Sequence, residues 1–165
     1  MRGNLEQALE NTETTYQQLV EIANEIVDDY TKEINALIKS ATARSENMSN
    51  DDIRQFILQL ALKSYTFSEV KEKSVLKAEC AEALRKEAYA KAFNALEGSN
   101  AVRENNAMVE ISDEVLTEAI YNLVASLLKV KLDEIHRVVD ALKTILMSRM
   151  QEAKLSAGID GKVFE

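Results

Sequence analysis

Residues 4–41 read NLEQALENTETTYQQLVEIANEIVDDYTKEINALIKSA, and the period of this stretch decides the fold class. Leu5, Leu9, Thr12, Tyr16, Leu19, Ala23, Ile26, Tyr30, Ile34, Leu37 and Ala41 recur at alternating intervals of four and three, with one extra four between Tyr30 and Ile34. Such a pattern puts one apolar seam along a single long helix, as in a coiled coil. Asn4 and Gln7 have the spacing of a capping box, in which each side chain satisfies a backbone N–H that the first helical turn leaves unpaired. The first helix is therefore expected over about 4–44.

Composition carries the same reading to the rest of the chain. The 165 residues include no proline and four glycines, so the tight turns of a sandwich or barrel and the glycine-rich loops of nucleotide-binding α/β folds are out of reach. The expected fold is all-α: an elongated up-down-up bundle of long helices with coiled-coil-like packing, in one domain. The polar stretch Ser45-Glu-Asn-Met-Ser-Asn50 breaks the first leg, and Ser49 with Asp52 starts the second. That leg carries Ile53, Phe56, Ile57, Leu60 and Ala61, then meets Ser64-Tyr-Thr-Phe-Ser68, where Thr66 and Glu69 form another possible box. A break is expected there, giving helices over about 50–64 and 67–97, the later one with Val70, Ala81, Leu84, Ala88, Ala92 and Ala95 on one face. Gly98 is placed to end it. Residues 99–112 read as the one long connection, followed by a last helix over about 113–157 and a flexible tail over 158–165. A seam this long serves self-association as readily as an internal bundle, so a homo-oligomer is expected.

Charge is the most usable functional signal. The net −8 resolves into −6 over residues 1–62, +2 over 63–91, −5 over 92–128 and +1 over 129–165. If the second and last legs fold about Asn105, paired residues sum to about 210 and the two basic segments meet. Lys71, Lys73, Lys77, Lys131, Arg137 and Lys143 are then the candidate nucleic-acid-binding residues, with single-stranded DNA as a possible ligand. The opposing reading has the acidic first helix neutralise this patch internally.

Catalytic patterns are sparse. Neither a P-loop nor a nucleophile elbow is present, and one cysteine, Cys80, cannot supply a disulfide or a cysteine zinc site. The lone His136 lies in Asp133-x-x-His136-x-x-x-Asp140, which reads as a solvated helix face rather than a metal site. Glu79-x-x-Glu82 and Glu110-x-x-Asp113 match the letters of the magnesium sites of all-helical nucleotide pyrophosphohydrolases, but Glu79 and Glu82 face away from the alanine stripe. No catalytic residue, metal or cofactor is assigned. The absence of a long apolar run and the single cysteine give a soluble, cytoplasmic expectation with no membrane association.

Residues 88–107 read AYAKAFNALEGSNAVRENNA: an alanine- and lysine-rich helix, a glycine, then Asn100-Ala-x-Arg103, followed by a long helix ending in Ser148-Arg149-Met-Gln-Glu-Ala. This layout resembles small helical proteins encoded in the early replication and recombination regions of bacteriophages, and is similar to UvsY-type recombination mediators, with Asn100 and Arg103 as the motif residues. The resemblance implies a non-enzymatic accessory protein of DNA recombination or replication, an oligomeric helical binding module that acts with a phage or host DNA-metabolism protein in the host cytoplasm. The alternative is a protein-binding factor: a virion-assembly chaperone or scaffold, or an acidic inhibitor that mimics nucleic acid.

Overall fold

The structure, a computed structural model, describes the backbone of residues 2–44 and 47–160 and the side chains of 10–44 and 47–157. The chain is all-α, with helices α1 (Arg2–Arg44), α2 (Asn50–Ala95), α3 (Asn100–Glu110) and α4 (Ser112–Asp160). The side chains of the expected Asn4–Gln7 cap and of seam positions Leu5 and Leu9, and the tail from residue 161, lie outside the described residues. The backbone of α4 passes Gly158, where a stop was expected. Contacts divide the chain into two compact units, one of Met1–Tyr30 with Glu69–Lys129 and one of Thr31–Ser68 with Val130–Glu165.

α2 shows no break at 64–68. The Thr66 hydroxyl expected to cap a new helix turns back on its own, donating from Oγ1 to the Leu62 carbonyl at 3.2 Å, and Ser64 Oγ likewise donates to the Ala61 carbonyl at 2.8 Å. Serine and threonine can satisfy themselves in this way without leaving the helix. Packing holds the segment helical, because Ile53, Leu60, Phe67, Ser74 and Ala81 are all buried and follow one another at intervals of seven. Phe67 stands in the middle of the expected break and is one of those buried residues.

The second unit has a core of bulky side chains. Ile34, Ile38, Ile53, Leu60, Phe67, Ile135, Val139 and Leu142 are buried in it. At about 1.5–3 kcal/mol for each large apolar side chain removed from water, this core is the stronger of the two. Its turn follows the expected capping box. Asp52 N donates to Ser49 Oγ at 3.1 Å, while Ser49 N and Oγ both donate to Asp52 Oδ2, at 3.2 and 2.7 Å. The Ser49 donors hold the Asp52 carboxyl below its ordinary range. Arg149 reaches from α4 to the same turn and donates to the Met48 carbonyl.

The first unit packs on small residues. Ser74, Ala78, Ala81 and Ala92 of α2 are buried, together with Ala23, Val27, Ala107, Ile111, Val124 and Leu128. Its hairpin does not turn about Asn105. The segment expected to be a long connection is helix α3, separated from α4 by Ile111 alone, and the turn is Leu96 to Ser99. Gly98 makes that turn with φ +118°, a conformation that side-chain-bearing residues rarely adopt. A Cβ at Gly98 would meet Val102 Cγ1 only at 3.6 Å, so the requirement there is conformational rather than spatial. Ala92, Ala107 and Ile111 close the tip, with Ala88, Tyr89, Phe93, Leu96 and Val115 packed around them.

Arg103 locks the turn. Its Nε and Nη2 donate to the Phe93 carbonyl at 3.0 and 2.7 Å, and the guanidinium lies 4.0 Å from the centre of the Phe93 ring. Phe93 is in the last turn of α2, where carbonyls have no partner within the helix. The arginine supplies that partner, adds a positive charge at the negative end of the helix dipole, and stacks on the ring. Asn100 is the first residue of α3 and not its N-cap; Ser99 holds that place, with extended backbone and no side-chain capping bond.

Arg103→Ala is expected to lower unfolding stability by about 1.5–3 kcal/mol, the range for a hydrogen bond to a charged group. Gly98→Ala should cost about 1 kcal/mol or more through backbone strain. Urea unfolding followed by circular dichroism checks both, and an Arg103→Ala midpoint equal to the parent's would remove the clamp from the account.

Candidate functional site

Within the first unit, α2 and the α3–α4 leg run antiparallel in a register set by the Gly98 turn. Arg85 pairs with Glu118, both side chains about three-quarters buried, and Lys77 Nζ lies 5.8 Å from the centre of the Tyr121 ring. A turn about Asn105 would have put residue 133 opposite Lys77. The shift of about ten positions follows from α3 being part of the returning leg rather than a loop.

The candidate cations fall in both units. Lys71, Lys73 and Lys77 belong to the first unit, and Lys131, Arg137 and Lys143 to the second. Lys71 pairs with Glu72 at 2.7 Å, and Lys77 sits over Tyr121. Lys73 is exposed. On α4, Lys131 pairs with Glu134 and keeps only 22% of its side-chain surface, and Lys143 lies 3.4 Å from Asp140. Arg137 is exposed and lines a groove of 270 Å³ with Ala41, Glu134 and Ala141. Surface pairs of this kind contribute at most about 1 kcal/mol, so they do not pin the cations, but each sets a carboxylate where a phosphate would have to come. Lys129 joins Lys71 on a groove of 260 Å³ that also contains Glu79 and Glu82.

The carboxylates of the pyrophosphohydrolase reading do not converge. Among the described residues no group of three or more His, Cys, Asp or Glu side chains could hold a metal ion. Glu82 pairs with Lys86, whose ammonium holds its carboxyl below the ordinary range. Glu87 is held low by Lys91 in the same way. His136, Asp133 and Asp140 are exposed.

An apolar groove in the first unit is the more distinctive feature. It encloses about 480 Å³ between Leu76, Cys80 and Leu84 of α2 and Glu114, Thr117 and Tyr121 of α4. Leu76 is 59% exposed and Leu84 61%, and the free thiol of Cys80 lies exposed between them. Beside this face the same helix buries Ser74, Ala78 and Ala81, the last of which also forms part of the groove wall. This segment hides its small side chains and displays its large ones, the reverse of an ordinary amphipathic helix. Leu84 was expected on the buried face; the seven-residue interval from Ser74 to Ala81 turns it outward.

Tyr16 and Tyr30 also depart from the expected seam, at 57% and 47% exposure. Among the described residues of α1, Ala23, Val27, Thr31, Ile34, Ile38 and Ala41 are buried. Adjacent apolar pairs, Ile26 with Val27 and Leu37 with Ile38, let either of two neighbouring stripes be read from the sequence. No described helix is long and apolar enough to cross a membrane. Comparison of the chain with protein-family models, curated proteins and solved structures finds no match to any of them.

Magnesium is expected to leave the melting temperature of the protein unchanged. A site saturated a hundredfold above its Kd would add about 2.7 kcal/mol of stability, and a rise of that order in a calorimetric scan would restore the metal-dependent reading.

Proposed function

We infer that the chain is a non-enzymatic, oligomeric helical binding module whose partners are other helices. One observation carries this reading: on α2 of the first unit, Leu76 and Leu84 face solvent along a groove while alanines and a serine fill the core behind them. Burying two leucines is favourable by about 1.5–3 kcal/mol each, and two of them side by side along a groove form the kind of apolar patch that serves as an interaction surface. The acidic balance of −8 and the carboxylates beside Lys71, Lys131 and Lys143 favour protein over polyanion as the ligand.

A second reading keeps the accessory role in phage DNA recombination or replication that the 88–107 resemblance implies. The observation in its favour is the shared groove of Lys71 and Lys129, with Asn122 and Ser126 as further polar contacts for a backbone. Arg103, one of the two residues carrying the resemblance, is occupied at the α2–α3 turn.

Solution mass with and without a single-stranded oligonucleotide separates these readings. The expected result is a species heavier than the 18.5 kDa monomer whose mass the oligonucleotide does not change, even at low salt. A monomer at every concentration would overturn the oligomeric reading. An oligonucleotide complex that dissociates steeply with added salt would establish the second.

A further inference from the structure

We propose that the occupant of the Leu76–Cys80–Leu84 groove is the same helix of a second copy, laid antiparallel about a twofold axis that passes at Cys80. This inference deepens the oligomeric reading by naming its surface and register. Residues facing each other across such an axis have numbers summing to about 160. Leu76 then meets Leu84 of the second copy, Leu84 meets Leu76, and the two Cys80 side chains meet on the axis. These apolar layers are the residues that the first unit leaves exposed on α2.

Charge selects this arrangement. Glu69, Lys73, Leu76, Cys80, Leu84, Glu87 and Lys91 lie on one face, within about 80° of one another at 100° per residue. In the antiparallel register Lys73 meets Glu87 of the second copy and Glu69 meets Lys91. Each end of the apolar segment is closed by two opposite-charge pairs. Glu87 and Lys91 are already joined within one copy, so the second copy extends an existing pair into a row of four alternating charges. A parallel arrangement would put Glu69 on Glu69, Lys73 on Lys73 and Glu87 on Glu87, a row of like-charge contacts. An isologous interface requires one surface to complement itself, and this one does so in both apolar and charged layers.

The packing of the first unit fits the same partner. Its α2 core is built on Ser74, Ala78, Ala81 and Ala92, which bury little apolar area, so a second copy on the leucine face would supply what those residues do not. Tyr121 and Thr117 form the wall of the groove on α4, and the incoming helix is bounded by them on one side.

The test uses the full chain at increasing concentration, by sedimentation equilibrium and by mild oxidation with diamide. The expected results are a dimer, a disulfide-linked dimer through Cys80 that is absent in Cys80→Ser, and loss of the dimer in Leu76→Glu and Leu84→Glu with helical circular dichroism retained. Lys73→Glu should weaken the dimer by about tenfold or more, equivalent to about 1.4 kcal/mol, and adding Glu87→Lys in the same chain should restore it. A dimer that forms equally well in Leu76→Glu, or that gives no Cys80 link, overturns this surface while leaving self-association standing. Lys73→Glu indistinguishable from the parent overturns the register. A monomer throughout overturns the proposal together with the oligomeric reading.

Discussion

Ile53, Leu60, Phe67, Ser74 and Ala81, seven residues apart on α2, are the constraint from which the other features follow. A period of seven leaves one narrow stripe of each turn available for burial, and α2 uses it without interruption. Serine and threonine within 64–68 would favour a cap or turn in isolation. Burying Phe67 is favourable by about 1.5–3 kcal/mol, which exceeds what a single cap contributes, about 1 kcal/mol. The hydroxyls consequently bond to carbonyls one turn back and the helix continues. That same period rotates Leu76 and Leu84 away from the core, so the groove on the first unit is a result of how α2 is held.

Two of the turns each have an arginine on a backbone carbonyl. Arg103 takes the Phe93 carbonyl at the α2–α3 turn and Arg149 takes the Met48 carbonyl at the α1–α2 turn. Helix ends leave carbonyls unpaired, and a planar guanidinium offers several donors at once in a fixed geometry. These arginines do structural work at places where the sequence alone gives them no visible partner. For Arg103 this gives the Asn100-Ala-x-Arg103 pattern a structural role.

The all-α class, the leg order, the Ser49–Asp52 box and the helix stop before Gly98 were legible in the sequence, because each rests on local chemistry: absent proline, a repeating period, a reciprocal cap, a glycine free to adopt positive φ. What was not legible depended on choices between near-equal local signals. Ile26 and Val27, or Leu37 and Ile38, offer adjacent stripes, and only packing selects Val27 and Ile38. Residues 99–112 look like a loop, yet Ala107 and Ile111 bury against Ala92 and turn them into helix. Moving the turn from Asn105 to Gly98 then shifted the pairings of the hairpin by about ten. The groove itself had a sequence signal, Leu76, Cys80 and Leu84 at intervals of four, but a helix with large residues on one face reads as pointing them inward.

Amide hydrogen exchange across residues 62–70 tests the continuity of α2 most directly, since cap formation and helix continuation leave different N–H groups free. A continuous helix protects the Tyr65, Thr66, Phe67 and Ser68 amides to the same degree as those of Leu60 and Ser74, and that is the expected result. Fast exchange confined to Tyr65–Ser68, with protection on either side, would contradict it by showing a broken helix and a period of seven that stops at Leu60.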